Sequence, residues 1–175
     1  MKAIYPVFPL VLLVAACSST PTPAPTPVPT PVVRPAPTPP PIRPAVNWRD
    51  APITPGDWTW GMVGGKSVAS FGASGAAPLL TVTCEKAAGE VRLARSGSAA
   101  ARVAMAVTTT SSTRPLVSDP ALSLPGQVAA TIKSRDPLLD AMAFSRGRFM
   151  VEVAGLPPLY LPSWPEVSRV IEDCR

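Results

Sequence analysis

The chain has 175 residues, with 16 Lys and Arg against 11 Asp and Glu, and a net charge of +5. It contains no histidine, which excludes the usual general base of serine and cysteine hydrolases and the commonest metal ligand. A composition of 46% hydrophobic and 15% charged residues excludes a wholly disordered chain.

The positive charge forms no patch along the sequence. Lys2, Arg34 and Arg43 precede residue 47, whereas every Asp and Glu follows it. The arginines after residue 47 are scattered rather than clustered. Nucleic-acid surfaces show a concentrated basic patch, so we predict no nucleic-acid partner.

The first seventeen residues have the pattern of an export signal. Lys2 precedes an apolar run, Ala3 to Val14, which is too short to span a bilayer, and Ala15-Ala16-Cys17 follows. This resembles the lipobox of bacterial prolipoproteins. The resemblance implies a signal peptide at 1–16, cleavage before Cys17, and lipid (diacylglycerol and palmitate) on that cysteine. An ordinary secretory signal and a short uncleaved anchor are the alternatives.

The same resemblance gives an expected location. Ser18 rather than Asp follows the cysteine, which in this family favours the outer membrane, facing the periplasm, in a Gram-negative host; the inner membrane is the alternative. The membrane is then the first partner, bound through the lipid on Cys17, because two or more acyl chains give stable anchoring.

Residues 17–46 are predicted to be a lipidated N-terminus and a proline-rich stalk. Proline lacks an N–H and fixes φ, so Thr-Pro, Ala-Pro and Val-Pro repeats form neither helix nor sheet. An extended polyproline II segment is expected, reaching roughly 75 Å at ~3.1 Å per residue. Alternatives are a docking ligand for an aromatic groove, or a cell-wall contact through Arg34 and Arg43.

Residues 47–175 are predicted to form one globular β-rich domain. Alternating apolar residues predict strands, and Gly64-Gly65 predicts a tight hairpin. The predicted antiparallel meander continues through the strand at Val103 to Val107. Its strand from Val91 to Arg95 is predicted to have one wet face, on which the polar side chains contact solvent. Thr113 to Gly126, with three prolines, is predicted to be a loop, and Gln127 to Lys133 a strand.

The last forty residues predict two short helices around two strands. Asp136 is the expected cap of the first helix, which should end near Gly147. Arg148 to Val153 follows as a strand with Met150 and Glu152 outward, and Leu159 to Leu161 as an edge segment. Ser163 and Glu166 predict a capping box. An apolar stripe then contains Val167, Val170, Ile171 and Cys174.

The cysteines predict one covalent link within the domain. With Cys17 assigned to the lipid, Cys84 and Cys174 remain as a pair in an oxidising compartment. We therefore predict a disulfide that ties the C-terminal helix to the sheet. The predicted fold class is mainly β (α+β), an antiparallel β-sandwich-like domain with two short helices.

No residues of the chain form a catalytic motif, and we predict no catalytic residue, metal or cofactor. Trp58, Trp60, Tyr160 and Trp164 are candidates for a binding surface, and an exposed edge at Leu159 to Leu161 is a candidate for strand addition. The predicted function is a non-enzymatic binding or structural role in the cell envelope, with an envelope protein or the cell wall as partner. The alternatives are a glycan or small-ligand binder that uses the tryptophans, and a cell-wall hydrolase.

Two stretches of the domain carry a further resemblance. Asp136 to Phe149 and Pro162 to Val167 resemble lipoproteins of alphaproteobacteria that have no assigned activity. A β-sandwich followed by a Cys-ending helix is also loosely similar to the invasion-associated locus B group of exported proteins. These resemblances imply a location and no activity.

Overall fold

The computed structural model describes residues 47–175. The predicted signal peptide, Cys17 and the proline-rich stalk lie outside the described residues. Neither helix in the described part is long and apolar enough to cross a bilayer.

The domain consists of two antiparallel sheets and two short α-helices. In chain order its elements are β1 (Asp57–Val63), β2 (Lys66–Gly72), β3 (Leu80–Glu85), β4 (Glu90–Ser96), β5 (Ala104–Thr108), β6 (Thr113–Val117), β7 (Gln127–Lys133), α1 (Pro137–Ala143), β8 (Arg148–Val153), β9 (Leu159–Pro162) and α2 (Pro165–Asp173). The first sheet has the order β1-β2-β3-β4-β7 and the second β6-β5-β8-β9. The predicted fold class is confirmed.

The predicted hairpin at Gly64-Gly65 is confirmed. Both glycines have left-handed backbones, with φ of 56° and 75°, and Val63 pairs with Lys66 across the two-residue turn. A turn with positive φ at both positions matches the twist of the flanking strands and favours glycine there.

The predicted meander is right for four strands and wrong for the next. Strand β5 leaves the first sheet and pairs with β6 and β8 in the second. Alternation reports which face of a strand is buried but not which strand lies beside it. Met105 and Val107 are buried as expected, against a different set of neighbours.

The predicted loop from Thr113 to Gly126 contains strand β6, which is a correction. Pro115 lies in its middle, opposite Ala106. The strand forms because β6 is at the edge of its sheet, where proline withdraws no ladder hydrogen bond.

The predicted wet face of β4 is also partly wrong, because Arg95 is buried. Its guanidinium donates to the carbonyls of Ser96 at 2.8 Å and of Leu79 and Pro157 at 3.5 Å. These acceptors are neutral, and burial lowers the pKa of Arg95 below its usual range. Arg95 follows Val91 and Leu93 at every second position of β4, so its side chain lies on the same inward face of the strand.

Helix α1 begins as predicted and ends earlier. The Asp136 carboxylate accepts a hydrogen bond from the Leu138 N–H at 2.8 Å. The helix ends at Ala143 with Phe144 as its C-cap, so Gly147 is not the cap. Gly147, with φ of 77°, lies instead in the turn that leads into β8.

Helix α2 lacks the predicted capping box. Trp164 is the N-cap, and no side chain caps the helix. Ser163 therefore precedes the cap by one residue, and its hydroxyl donates to the Met142 carbonyl at 2.6 Å. The predicted apolar stripe is confirmed, because all four of its members are buried.

The core lies between the sheets and beneath α2, which packs against β1, β2, β3 and α1. Its largest fully buried side chains include Phe71, Phe149, Leu80, Leu93, Met105, Leu139 and Leu161. Met150, predicted to face outward, is buried. It lies between Thr108 and Tyr160 on the neighbouring strands, and cross-strand neighbours project their side chains from the same face of a sheet as Met150.

The predicted disulfide between Cys84 and Cys174 is confirmed, with 5.3 Å between the Cα atoms. Cys84 is in β3, and Cys174 directly follows α2. The bridge therefore fastens the end of the chain to the middle of the first sheet.

Candidate functional site

The four aromatic residues predicted to form a binding surface do not line one site. Trp58 is buried in the core, where its ring lies near Phe71 and Phe149. Tyr160 is half-buried in β9, and Trp164 is exposed at the start of α2. Trp60 alone of the four lines a large cleft between the first sheet and α2.

This Trp60 cleft has a volume of about 1010 Å³. Its walls are the β1–β2 hairpin, the turn after β3 and the last turn of α2. Its lining includes Trp60, Met62, Ser67, Lys86, Ala87, Arg169 and Asp173. The disulfide holds this end of α2 beside the hairpin, because Cys84 also lines the cleft.

A short hydrogen-bond chain joins the hairpin to the helix. The Trp60 Nε1–H donates to Ser67 Oγ at 2.8 Å, and the Ser67 hydroxyl donates to Asp173 Oδ2 at 2.6 Å. Ser67 is buried, and its hydroxyl is both donor and acceptor in this chain. The arrangement fixes the position of Trp60 and gives Ser67 no basic nitrogen to activate it as a nucleophile.

The charges of the cleft are mixed. The Arg169 guanidinium carbon lies 4.0 Å from the centroid of the Trp60 ring, a cation–π contact. Lys66 pairs with Glu85 at 2.5 Å, and Lys86 donates to the Asp173 carbonyl at 3.0 Å. In residues 47–175 no three His, Cys, Asp or Glu side chains lie close enough together to hold a metal ion.

Three of the four sheet edges are protected against strand addition. On β9 the Thr54 hydroxyl accepts from the Tyr160 N–H and the Thr54 N–H donates to the Tyr160 carbonyl, both at 2.9 Å. The predicted docking edge at Leu159 to Leu161 is therefore already occupied, which corrects that expectation. On β7 the backbone of Ala129 bonds to Asp119 and Ser123.

The β6 edge is protected by its proline. Hydrogen bonds from Thr109 N to Ser112 O and from Ser118 N to Val103 O assign the even-numbered residues of β6 to the ladder with β5. Pro115 therefore faces away from the sheet, where it offers no N–H to an incoming strand.

Strand β1 has the remaining edge, and it is open. The two-residue hairpin places Val63 and Lys66 in a hydrogen-bonded pair, so the odd-numbered residues of β1 bond to β2. The backbone N–H and C=O groups of Trp58, Trp60 and Met62 point away from the sheet. Within residues 47–175 they have no hydrogen-bond partner. Met62 and Val63 are 61% and 64% exposed there.

Sequence reasoning identified Trp60 and missed the residues that hold it. Ser67 and Asp173 are separated by 106 positions, and neither belongs to a motif. The stripe of α2 predicts that Arg169 and Asp173 lie off its buried face, but not which strand the helix crosses.

Comparison of the chain with protein-family models, with curated proteins and with solved structures finds no match.

Proposed function

We propose that this protein is a lipid-anchored envelope protein whose folded domain binds a partner without catalysing a reaction. The support for the anchor is the Ala15-Ala16-Cys17 pattern after an apolar run. The proposed residence is the periplasmic face of the outer membrane, with the proline-rich segment as a spacer. The Ser67 hydroxyl accepts a hydrogen bond from Trp60 and donates one to Asp173. Since no basic nitrogen within residues 47–175 is positioned to activate it as a nucleophile, these contacts support a binding role over hydrolysis.

The proposed partner is an extended segment of another envelope protein that adds a strand to β1. The open edge of β1 beside the Trp60 cleft carries this proposal. Main-chain hydrogen bonds to Trp58, Trp60 and Met62 would supply affinity, and the cleft would receive alternate side chains and supply specificity. The mixed charge of the cleft suits a peptide better than a uniformly charged polymer.

A glycan ligand is the alternative, since Trp60 lies at the cleft. Sugars bind to tryptophan by stacking on a ring face, and Arg169 already covers one face of Trp60 at 4.0 Å. The indole N–H is also taken by Ser67. A sugar is left with the opposite face, so we favour the peptide.

The strand-addition proposal predicts that Met62→Pro abolishes partner binding. Proline at 62 removes an outward N–H and no bond to β2, so the domain should keep its fold. With a photo-reactive side chain at the exposed Ala87 of the cleft, we expect one dominant protein adduct in intact cells. Met62→Pro should reduce its yield at least tenfold.

The matched control is Val117→Pro, the same change at an exposed, outward-facing position of the β6 edge. It should leave the adduct intact. Equal adduct from both proline variants would contradict strand addition at β1, and adducts with glycan alone would favour the alternative.

The anchor is tested by Cys17→Ala. Without the thiol no diacylglycerol can be attached, so we expect the protein to leave the membrane fraction or to remain uncut. Fractionation of cells followed by mass spectrometry of the N-terminus measures both. A variant that stays with membranes and is cut normally before residue 17 would contradict the lipid.

A further inference from the structure

A second cavity gathers three arginines from distant parts of the chain. Its volume is about 640 Å³, and its lining includes Arg49, Arg146 and Arg148 together with Thr110 and Phe144. Arg49 comes from the start of the domain, and Thr110 comes from the turn between β5 and β6. Phe144 and Arg146 come from the turn between α1 and β8, and Arg148 is the first residue of β8. We call this the arginine cavity.

The arginine cavity has positive charge and no carboxylate. No Asp or Glu lines it, and none of the three arginines is in the ion pairs of residues 47–175. The nearest acids in sequence are Asp50, Asp140 and Glu152, and none of them is among the lining residues. Asp140 pairs instead with Arg175 at 2.7 Å. Residues 1–46 contain no Asp or Glu at all, so they supply no counter-charge.

Two of the arginines are held in place by neutral groups. Arg148 donates to the Ala51 carbonyl, and Arg49 donates to the Thr110 carbonyl at 3.3 Å. The Arg49 guanidinium also lies 5.0 Å from the Trp48 ring centroid. Each of these two hydrogen bonds uses one of the five N–H donors of a guanidinium group. Most of the donors of both arginines therefore remain for a ligand. Positioning before binding lowers the entropy that binding costs.

The turn that carries the third arginine is also fixed. The Arg146 N–H donates to Thr110 Oγ1 at 3.1 Å, and the Thr110 N–H donates to Ser145 Oγ at 3.0 Å. The Arg146 guanidinium has no partner within residues 47–175 and is exposed. Phe144, beside it, is 79% exposed, which gives the cavity an apolar rim.

We propose that the arginine cavity binds a phosphate monoester of a sugar. Such a group has a charge of about −1.5 to −2 at pH 7 and three acceptor oxygens, which matches three guanidinium forks better than the single charge of a carboxylate does. The Phe144 ring contacts the sugar. The ligand is either a soluble sugar phosphate or the phosphorylated sugar head group of a membrane lipid, because both present the same chemistry.

The test is a titration of the full chain carrying Cys17→Ala, so that no attached lipid contributes. One arm uses glucose 6-phosphate against glucose in a calorimeter. The other uses sedimentation with vesicles of phosphatidylcholine, with and without a lipid whose head group is a phosphorylated glucosamine. Arg146→Ala should weaken binding at least tenfold in whichever arm binds, and binding should fall as salt is raised.

Arg102→Ala is the matched control, because Arg102 is an exposed arginine outside the cavity. It should leave binding unchanged, and Arg146→Lys should restore part of it. Binding of glucose 6-phosphate identifies a soluble ligand, and binding of the glucosamine-phosphate vesicles alone identifies a head group. If neither arm binds, or if Arg146→Ala and Arg102→Ala weaken binding equally, the proposal is wrong.

Discussion

Replacing Cys84 and Cys174 together with alanine should lower the free energy of unfolding by about 3–4 kcal/mol. The bridge closes a separation of 90 residues, and a long closed loop restricts the unfolded chain strongly. Both sulfur atoms belong to buried residues, so alanine keeps the site apolar and adds no unpaired polar group. A small cavity adds to the loss.

Urea unfolding of the full chain, followed by circular dichroism, measures this effect. Cys17→Ala serves as the background, so that no third thiol can mispair. In the variant without the bridge, hydrogen exchange should show that the amides of α2 lose protection before those of β3. The bridge holds α2 on the sheet, whereas β3 is also held by backbone hydrogen bonds to β2 and β4. An unchanged urea midpoint after reduction of the wild-type bridge would contradict the stabilising role.

Trp58→Ala should cost about 3–5 kcal/mol of stability. Trp58 joins the two sheets: it belongs to β1, its ring lies 5.3 Å from Phe71 and 6.4 Å from Phe149, and its Nε1–H donates to the Pro162 carbonyl at 2.8 Å. Phe149 and Pro162 are residues of the second sheet. Alanine leaves a large cavity and an unsatisfied buried carbonyl at this junction.

Two further variants separate the terms of that loss. Trp58→Phe keeps an aromatic ring and removes the hydrogen bond, so about 1–2 kcal/mol is expected. Met62→Ala changes an exposed residue of the same strand and should stay within about 0.5 kcal/mol. Thermal and urea unfolding measure all three, and a Trp58→Ala loss no larger than that of Met62→Ala would overturn the assigned role.

The sequence predicts where each strand lies along the chain better than it predicts which strands pair with one another. Strands β7 and β8 begin and end where the apolar alternation does, because one buried face requires a period of two. The sequence does not predict the position of β5, because the connection from Ser96 to Ala104 decides which sheet this strand enters. Pro115 favours the prediction of a loop, which is wrong. A proline is compatible with an edge strand, and the sequence does not show which strands lie at an edge.

The candidate sites were harder to predict, for a related reason. Trp58 and Trp60 are two positions apart in β1 and therefore lie on the same face of the strand. The sequence does not show that Trp58 enters the core and that Trp60 lies at a cleft. The arginines are scattered along the sequence, where Arg49 and Arg148 are 99 positions apart. The fold places the segment that contains Arg49 beside the start of β8, where Arg148 lies, and neither residue belongs to a local motif.

The unequal protection of the four sheet edges limits how this domain can assemble. A domain with two receptive edges can join copy after copy into a growing filament, as sheet-forming chains do when both sides are free. Here Pro115, Thr54 and Ala129 hinder pairing at three edges within residues 47–175, whereas all three outward-facing residues of β1 keep free backbone groups. Under the strand addition proposed above, each copy of the domain would accept a single strand at β1, and assembly by this route would end after one addition.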